Sequence, residues 1–328
     1  MSARRPLPGR RRLILGACSG FLISSTTARA QLKPATERKV GVLSPGPDAG
    51  AEFHEALQMM RPLGWMKGKN ISLEPRSANG NLMVLRPMAL ELAALGVDVI
   101  VTYGTDAALA AKSATTKIAI VMASAGDPVG TGLVASLARP GANITGYSIV
   151  YPEIAAKRAA LLHELLPAAR RVCVLINPLT SKYLREVAEA AYRSLAVEPL
   201  LIEVASESQF RPALASAVRS HAEMLDCALA LPMTAALMEE VLGHRLPAMV
   251  SDAEFVEAGA LISFAPRITE GYRRVAALVD SVLRGANPSE IPIEQPTEFE
   301  LAINLRTARA LDVSVPPAIL ARADKLIR

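Results

Sequence analysis

The chain has 328 residues, 51% of them hydrophobic and 20% charged, with a formal net charge of +5. That excess sits in the first 30 residues: the 36 basic groups, less six arginines there, leave 30 against 31 acids, which removes any electrostatic argument for nucleic acid or an acidic membrane surface. A composition this apolar excludes a disordered chain, and the length suits two domains of ordinary size.

Arg4, Arg5 and Arg10 to Arg12 form a basic segment, Leu13 to Ile23 an apolar one, and Ala28-Arg29-Ala30 a small-residue cleavage site. Residues 1–30 therefore read as a signal peptide, and the mature chain as periplasmic. Arg11-Arg12 also fits twin-arginine export. Leu15-Gly16-Ala17-Cys18 fits a lipobox that would anchor the chain through Cys18, but the apolar stretch before Cys18 is short. The leader's apolar run is about half the ~20 residues that cross a bilayer, so no stable span is expected in the mature chain.

Beyond the leader, strands and helices alternate. Strands are expected at 39–44, 71–76, 97–102, 118–122 and 144–147, with helices at 52–61, 82–95, 106–113 and 129–137. A second cycle has helices at 152–166, 181–195, 208–221 and 234–242, and strands at 171–176, 197–203, 227–231, 248–250 and 260–263. Such alternation means βαβ units and parallel sheets, here in two successive lobes. The tail breaks the rhythm with a helix at 271–284, a Pro-rich stretch at 287–296, a strand at 298–304 and a last helix opening at Pro316-Pro317. These leftover elements can cross back and complete both sheets, which places hinges near 146–151, 264–267 and 288–292.

Catalytic signatures are missing. There is no Walker loop, no G-x-G-x-x-G and no G-x-S-x-G elbow beyond the leader, and His54, His163, His221 and His244 lack metal-ligand spacing. No cofactor or metal is expected. Cys173 and Cys227 lie in apolar runs and read as buried free thiols. What recurs is a strand ending in small hydroxyl and glycine residues before a helix: Ser44-Pro45-Gly46, Gly104-Thr105-Asp106, Ala123 to Asp127 and Asn177-Pro178. Free N–H groups and hydroxyls at such places hold a polar ligand without reacting with it. The same residue types make N-caps, so Thr105, Asp127 and Asp252 also read as caps.

Gly104-Thr105 with its Ala-rich helix, the runs 126–130, 132–141 and 143–146, Ala156-Lys157-Arg158, Glu254 to Ala260, Glu294 to Glu300 and Ile303-Asn304-Leu305 resemble the ABC-transporter substrate-binding proteins of the TrpX-like type. The resemblance covers nearly all of the mature chain. It implies a type I periplasmic binding protein fold: α/β, two doubly wound parallel-sheet lobes joined by three crossovers, with lobe 1 at 31–149 plus 265–290 and lobe 2 at 150–264 plus 291–328. It further implies capture of a small polar solute, an amino acid or related carboxylate among the candidates, for an inner-membrane ABC permease. Ligand contacts are then expected from Ser44, Thr105, Ser124 and Asp127 on the first lobe and from Asn177, Met233 and Phe264 on the second. For an amino acid, the Thr105 and Ser124 hydroxyls would hold the carboxylate, and Asp127 would take the ammonium or brace the loop before Pro128. Two stretches depart from the family pattern: Cys227 to Pro247 is short and lacks an aromatic-rich loop, and Ser263-Phe264-Ala265 stands for Ser-Tyr-Gly. A ligand-sensing module for a membrane receptor is the alternative reading, and an enzyme on the same scaffold a more distant one.

Overall fold

A computed structural model describes residues 37–178, 180, 182–229 and 234–328; the expected signal peptide, Cys18 and Met233 lie outside them. The first lobe runs through β1 (Arg38–Ser44), α1 (Ala49–Met60), β2 (Ile71–Ser77), α2 (Leu85–Ala94), β3 (Val99–Thr102), α3 (Gly104–Ala114), β4 (Ala119–Ala125) and β5 (Ile144–Ser148). Its five strands are all parallel, in the order β2-β1-β3-β4-β5. Period-two alternation sends Val40, Val42, Val99, Val101 and Val121 to one face, against Phe53 and Met60 of α1. Leu43, Ile100, Ile120 and Met122 go to the other, against Leu85 and Leu92 of α2 and Ala107 and Ala111 of α3. Burial of both faces explains why these strands read as unbroken apolar runs.

The helix expected at 129–137 is not formed. Residues 127–139 make turns and bends, with Gly132 at φ +71° and the Asp127 carboxylate accepting from the Val129 and Gly130 N–H groups. Leu133 and Val134 still bury against the sheet, so the apolar spacing reports packing of a loop. Two glycines and an Asx turn at its start outweigh a helical period of about two and a half turns.

The second lobe follows with α4 (Tyr151–Leu165), β6 (Arg171–Ile176), α5 (Lys182–Arg193), β7 (Glu198–Glu203), α6 (Phe210–Arg219), β8 (Met224–Leu229), α7 (Ala235–His244), β9 (Ala248–Val250), α8 (Ala253–Glu257) and β10 (Ile262–Pro266). The chain then forms α9 (Ile268–Leu283), β11 (Phe299–Asn304), α10 (Leu305–Ala310), α11 (Pro317–Leu320) and β12 (Lys325–Ile327). Five strands repeat the winding of the first lobe, in the order β7-β6-β8-β9-β10, and β11 and β12 extend the sheet beyond β10. β11 is antiparallel to β10, with Phe299 opposite Pro266. The chain leaves the second lobe at the end of β10 and returns at the same place, so β11 must run back. β12, three residues long, is too short to carry a periodic signal. Cys173 and Cys227 are free and buried, and burial pushes the Cys173 thiol up to about 12.

The chain passes between lobes three times. The first passage ends at Val150, in the left-handed region at φ +49°, and the second follows Pro266. α9 then buries Val275, Leu278 and Val279 in the first lobe's core. The third passage lies at 295–298, later than the 288–292 expected from the prolines. Ile291 stays with the first lobe through its carbonyl, which accepts from Thr145 Oγ1 at 3.0 Å, and Ile293 through its N–H, which donates to Leu137 O at 2.8 Å. Ala265 and Pro266 likewise finish β10 in the second sheet, which moves the boundaries at 265 and 291 a few residues toward the C-terminus. Glu270 ties the last two passages together: its carboxylate accepts from Thr297 Oγ1 at 2.8 Å and from the Thr297 and Glu298 N–H groups at 3.1 Å.

Candidate ligand-binding cavity

A cavity of about 370 Å³ lies between the lobes, where the carboxyl ends of β3 and β4 face those of β9 and β10. This is the crevice in which doubly wound sheets hold ligands. From the first lobe it is lined by Glu52, Tyr103, Ser124, Tyr147 and, on α9, Tyr272; from the second by Ser251, Asp252, Ala265 and Pro266. A neighbouring hollow of about 300 Å³ shares Asp252 and Tyr272 and adds Glu254 and Glu300.

Each wall is built from local bonds. Tyr103 follows β3, and its hydroxyl donates to the Glu52 carbonyl at 2.8 Å, which pins α1 beside the start of α3. The Glu52 carboxylate, in the first turn of α1, accepts from Ser44 Oγ at 2.7 Å. Burial raises the Glu52 pKa above the usual carboxylate value; the Ser44 bond opposes this and Asp48 adds to it. Ser124 Oγ accepts from the Gly104 N–H at 3.1 Å. Tyr147 is only 2% exposed, and its hydroxyl has no hydrogen-bond partner among the described residues. Asp252 occupies the N-cap position of α8 but makes no cap bond, and accepts from Ser251 Oγ at 2.6 Å instead.

The second-lobe wall rests on a buried ion pair. Arg158 of α4 donates through Nη1 to the carbonyls of Val250 at 2.7 Å and Phe264 at 3.2 Å, thereby joining the ends of β9 and β10. Its Nη2 meets Asp226 Oδ1 at 2.6 Å, and Tyr192 donates to Asp226 Oδ2 at 2.7 Å.

Of the residues expected at the site, Ser124 lines this cavity and Ser44 stands one bond behind it, on Glu52. Thr105 is buried, its Oγ1 accepting from the Gly126 N–H at 2.9 Å. Asp127 braces the loop before Gly130 and accepts from the Tyr183 hydroxyl of the second lobe. Asn177 is buried in the second lobe and donates to the Gly80 carbonyl of the first at 3.2 Å. Phe264 points away from the cavity: Ser263 and Ala265 face the hollows, while the Phe264 ring stacks on Phe299 at 5.5 Å. Met233 lies outside the described residues. Glu52, Tyr103, Tyr147 and Tyr272 are the lining groups that sequence reasoning passes over, and it reads Asp252 only as a cap. A usable signal existed, because three of only six tyrosines line one cavity and Tyr103 directly precedes Gly104-Thr105.

The chain is 26% identical over 265 residues to a tyrosine-binding protein of Clostridioides difficile (strain R20291), covering 78% of this chain and 75% of that one. Its fold matches that of a conserved domain protein from Vibrio cholerae, with TM-score 0.78 and 24% identity over 89% of this chain and all of that one. It also matches an ABC domain from Streptococcus pneumonia solved in complex with L-Trp, with TM-score 0.76 and 22% identity over the same shares. These likenesses bear out the two-lobed α/β fold, that of the type I periplasmic binding proteins. The model of the ABC transporter substrate binding proteins matches residues 49–327, and the chain belongs to that family.

Proposed function

We propose that the chain, exported by its leader, captures a small solute in the cavity between its lobes and delivers it to an inner-membrane ABC permease. The observation that carries this reading is the cavity itself: it is shared by both lobes and walled by three of the six tyrosines. Its volume is in the range of small-molecule sites. Its chemistry suits holding rather than reacting, since Ser124 is engaged by a backbone N–H and no histidine or cysteine stands among the described lining residues. The tyrosine and L-Trp named for the relatives support a ligand with an aromatic body. The bonds from Tyr183 to Asp127 and from Asn177 to Gly80 join the lobes across the cleft, as a closed form requires.

A thermal-shift panel of amino acids, small carboxylates, amines and aromatic compounds, followed by calorimetry on each hit, tests the reading. It expects at least one solute bound one to one and recovered unchanged. A panel without a binder, or chemical turnover of the hit, would contradict it.

A further inference from the structure

We propose that the cavity selects a solute bearing a positive charge on an aromatic or other flat apolar body, an organic ammonium ion, and that this charge is the main determinant of affinity. The inference rests on the solute-binding reading above. Glu52 and Asp252 line the cavity with Tyr272, and Glu254 lines the hollow beside it. Burial raises the Tyr272 pKa, and these three carboxylates together with Glu55 push it the same way. They come from α1 on one side and from the start of α8 on the other. None of the four forms a salt bridge among the described residues. Arg267 is the one basic side chain among the described lining residues, and it is already held by Glu298 at 3.6 Å and Asp324 at 3.2 Å. Uncompensated carboxylates in a low-dielectric crevice focus a negative potential that favours a cation and repels an anion.

Aromatic faces complete the chemistry. Tyr103, Tyr147 and Tyr272 present rings to the cavity, and ring faces attract ammonium groups. The Tyr103 hydroxyl is spent on the Glu52 carbonyl, which leaves the ring as its contribution. Tyr147 likewise contributes its ring, because its hydroxyl is buried. A neutral apolar solute would leave the carboxylates uncompensated.

Calorimetry with three probes of matched body tests the proposal: tyramine, 4-ethylphenol and 3-(4-hydroxyphenyl)propionate. Tyramine is expected to bind at least about tenfold more tightly than the carboxylate probe, with affinity falling as salt rises. Asp252→Asn is expected to cost tyramine about tenfold and to leave 4-ethylphenol unchanged, with circular dichroism confirming the fold. Equal or tighter binding of the carboxylate probe, or an Asp252→Asn effect shared by 4-ethylphenol, would overturn the ammonium class and leave solute binding intact. Failure of tyramine to bind would overturn it too, and the wide panel above separately decides the underlying reading.

Discussion

The Tyr183 hydroxyl, on α5 of the second lobe, donates to the Asp127 carboxylate of the first at 2.5 Å, and the bond pushes the Tyr183 phenol up to about 12. Asp127 thus serves two purposes, holding its own loop through the Val129 and Gly130 N–H groups and receiving the opposite lobe. Tyr183→Phe deletes only the cross-lobe bond. It should raise the dissociation rate of a bound solute about fivefold, near 1 kcal/mol, and leave folding stability unchanged. Stopped-flow release kinetics would show this; an unaltered rate would remove Tyr183 from the closing contacts.

Arg158 and Asp226 are 2% and 4% exposed and face each other inside the second lobe's core. Removing one partner strands a buried charge, so Asp226→Ala should destabilise the protein by about 3–5 kcal/mol. The double change Arg158→Met with Asp226→Leu should cost less than Asp226→Ala alone, because no unpaired charge remains. Urea unfolding of the variants measures both.

Asp106, in the first turn of α3, has its carboxyl raised by burial from 3.8 to about 6, its own backbone N–H opposing the shift. Between these values the folded chain keeps a proton that the unfolded chain releases. This group's contribution is therefore full below about pH 4 and lost as pH rises through 6. Asp106→Asn cannot ionise and should stabilise by about 2 kcal/mol at pH 7 and by little at pH 4. Denaturant melts at the two pH values test the sign; equal effects at both would refute it.

Gly146 lies in β5 at φ +151°, where a Cβ would stand 2.4 Å from the Met122 carbonyl oxygen and 2.5 Å from its nitrogen. Backbone cannot retreat as a side-chain tip can. Gly146→Ala should cost at least about 3 kcal/mol or prevent folding. A melting temperature within a degree or two of the parent's would show that β4 and β5 can part without penalty.

Much of the fold was legible because the signals were strong and local. The paired windings follow from apolar runs such as Ile118 to Met122 and Arg171 to Ile176, separated by helix-length segments. The loop at 127–139 deceived because Leu133, Val134 and Leu137 share helical spacing while Gly130 and Gly132 undo the helix. The site was less legible. Small hydroxyl residues at strand ends lie about the crevice, but Thr105 and Asp127 are consumed by backbone N–H groups there. The lining side chains come from α1, β5, α9 and the end of β9, segments more than 200 residues apart at the extremes, and only folding brings Glu52 near Tyr272. At Phe264, strand alternation gives the hollows to Ser263 and Ala265 and turns the ring to Phe299.

A crystal structure with the tightest-binding solute of the panel decides where the ligand sits. One ligand is expected in the cavity between the lobes, its polar end within hydrogen-bond reach of the Asp252 carboxylate and its body against Tyr103 and Tyr272. A ligand seated elsewhere, beside Asp127 and Asn177 or on the outer surface, with this cavity left to solvent, would contradict it.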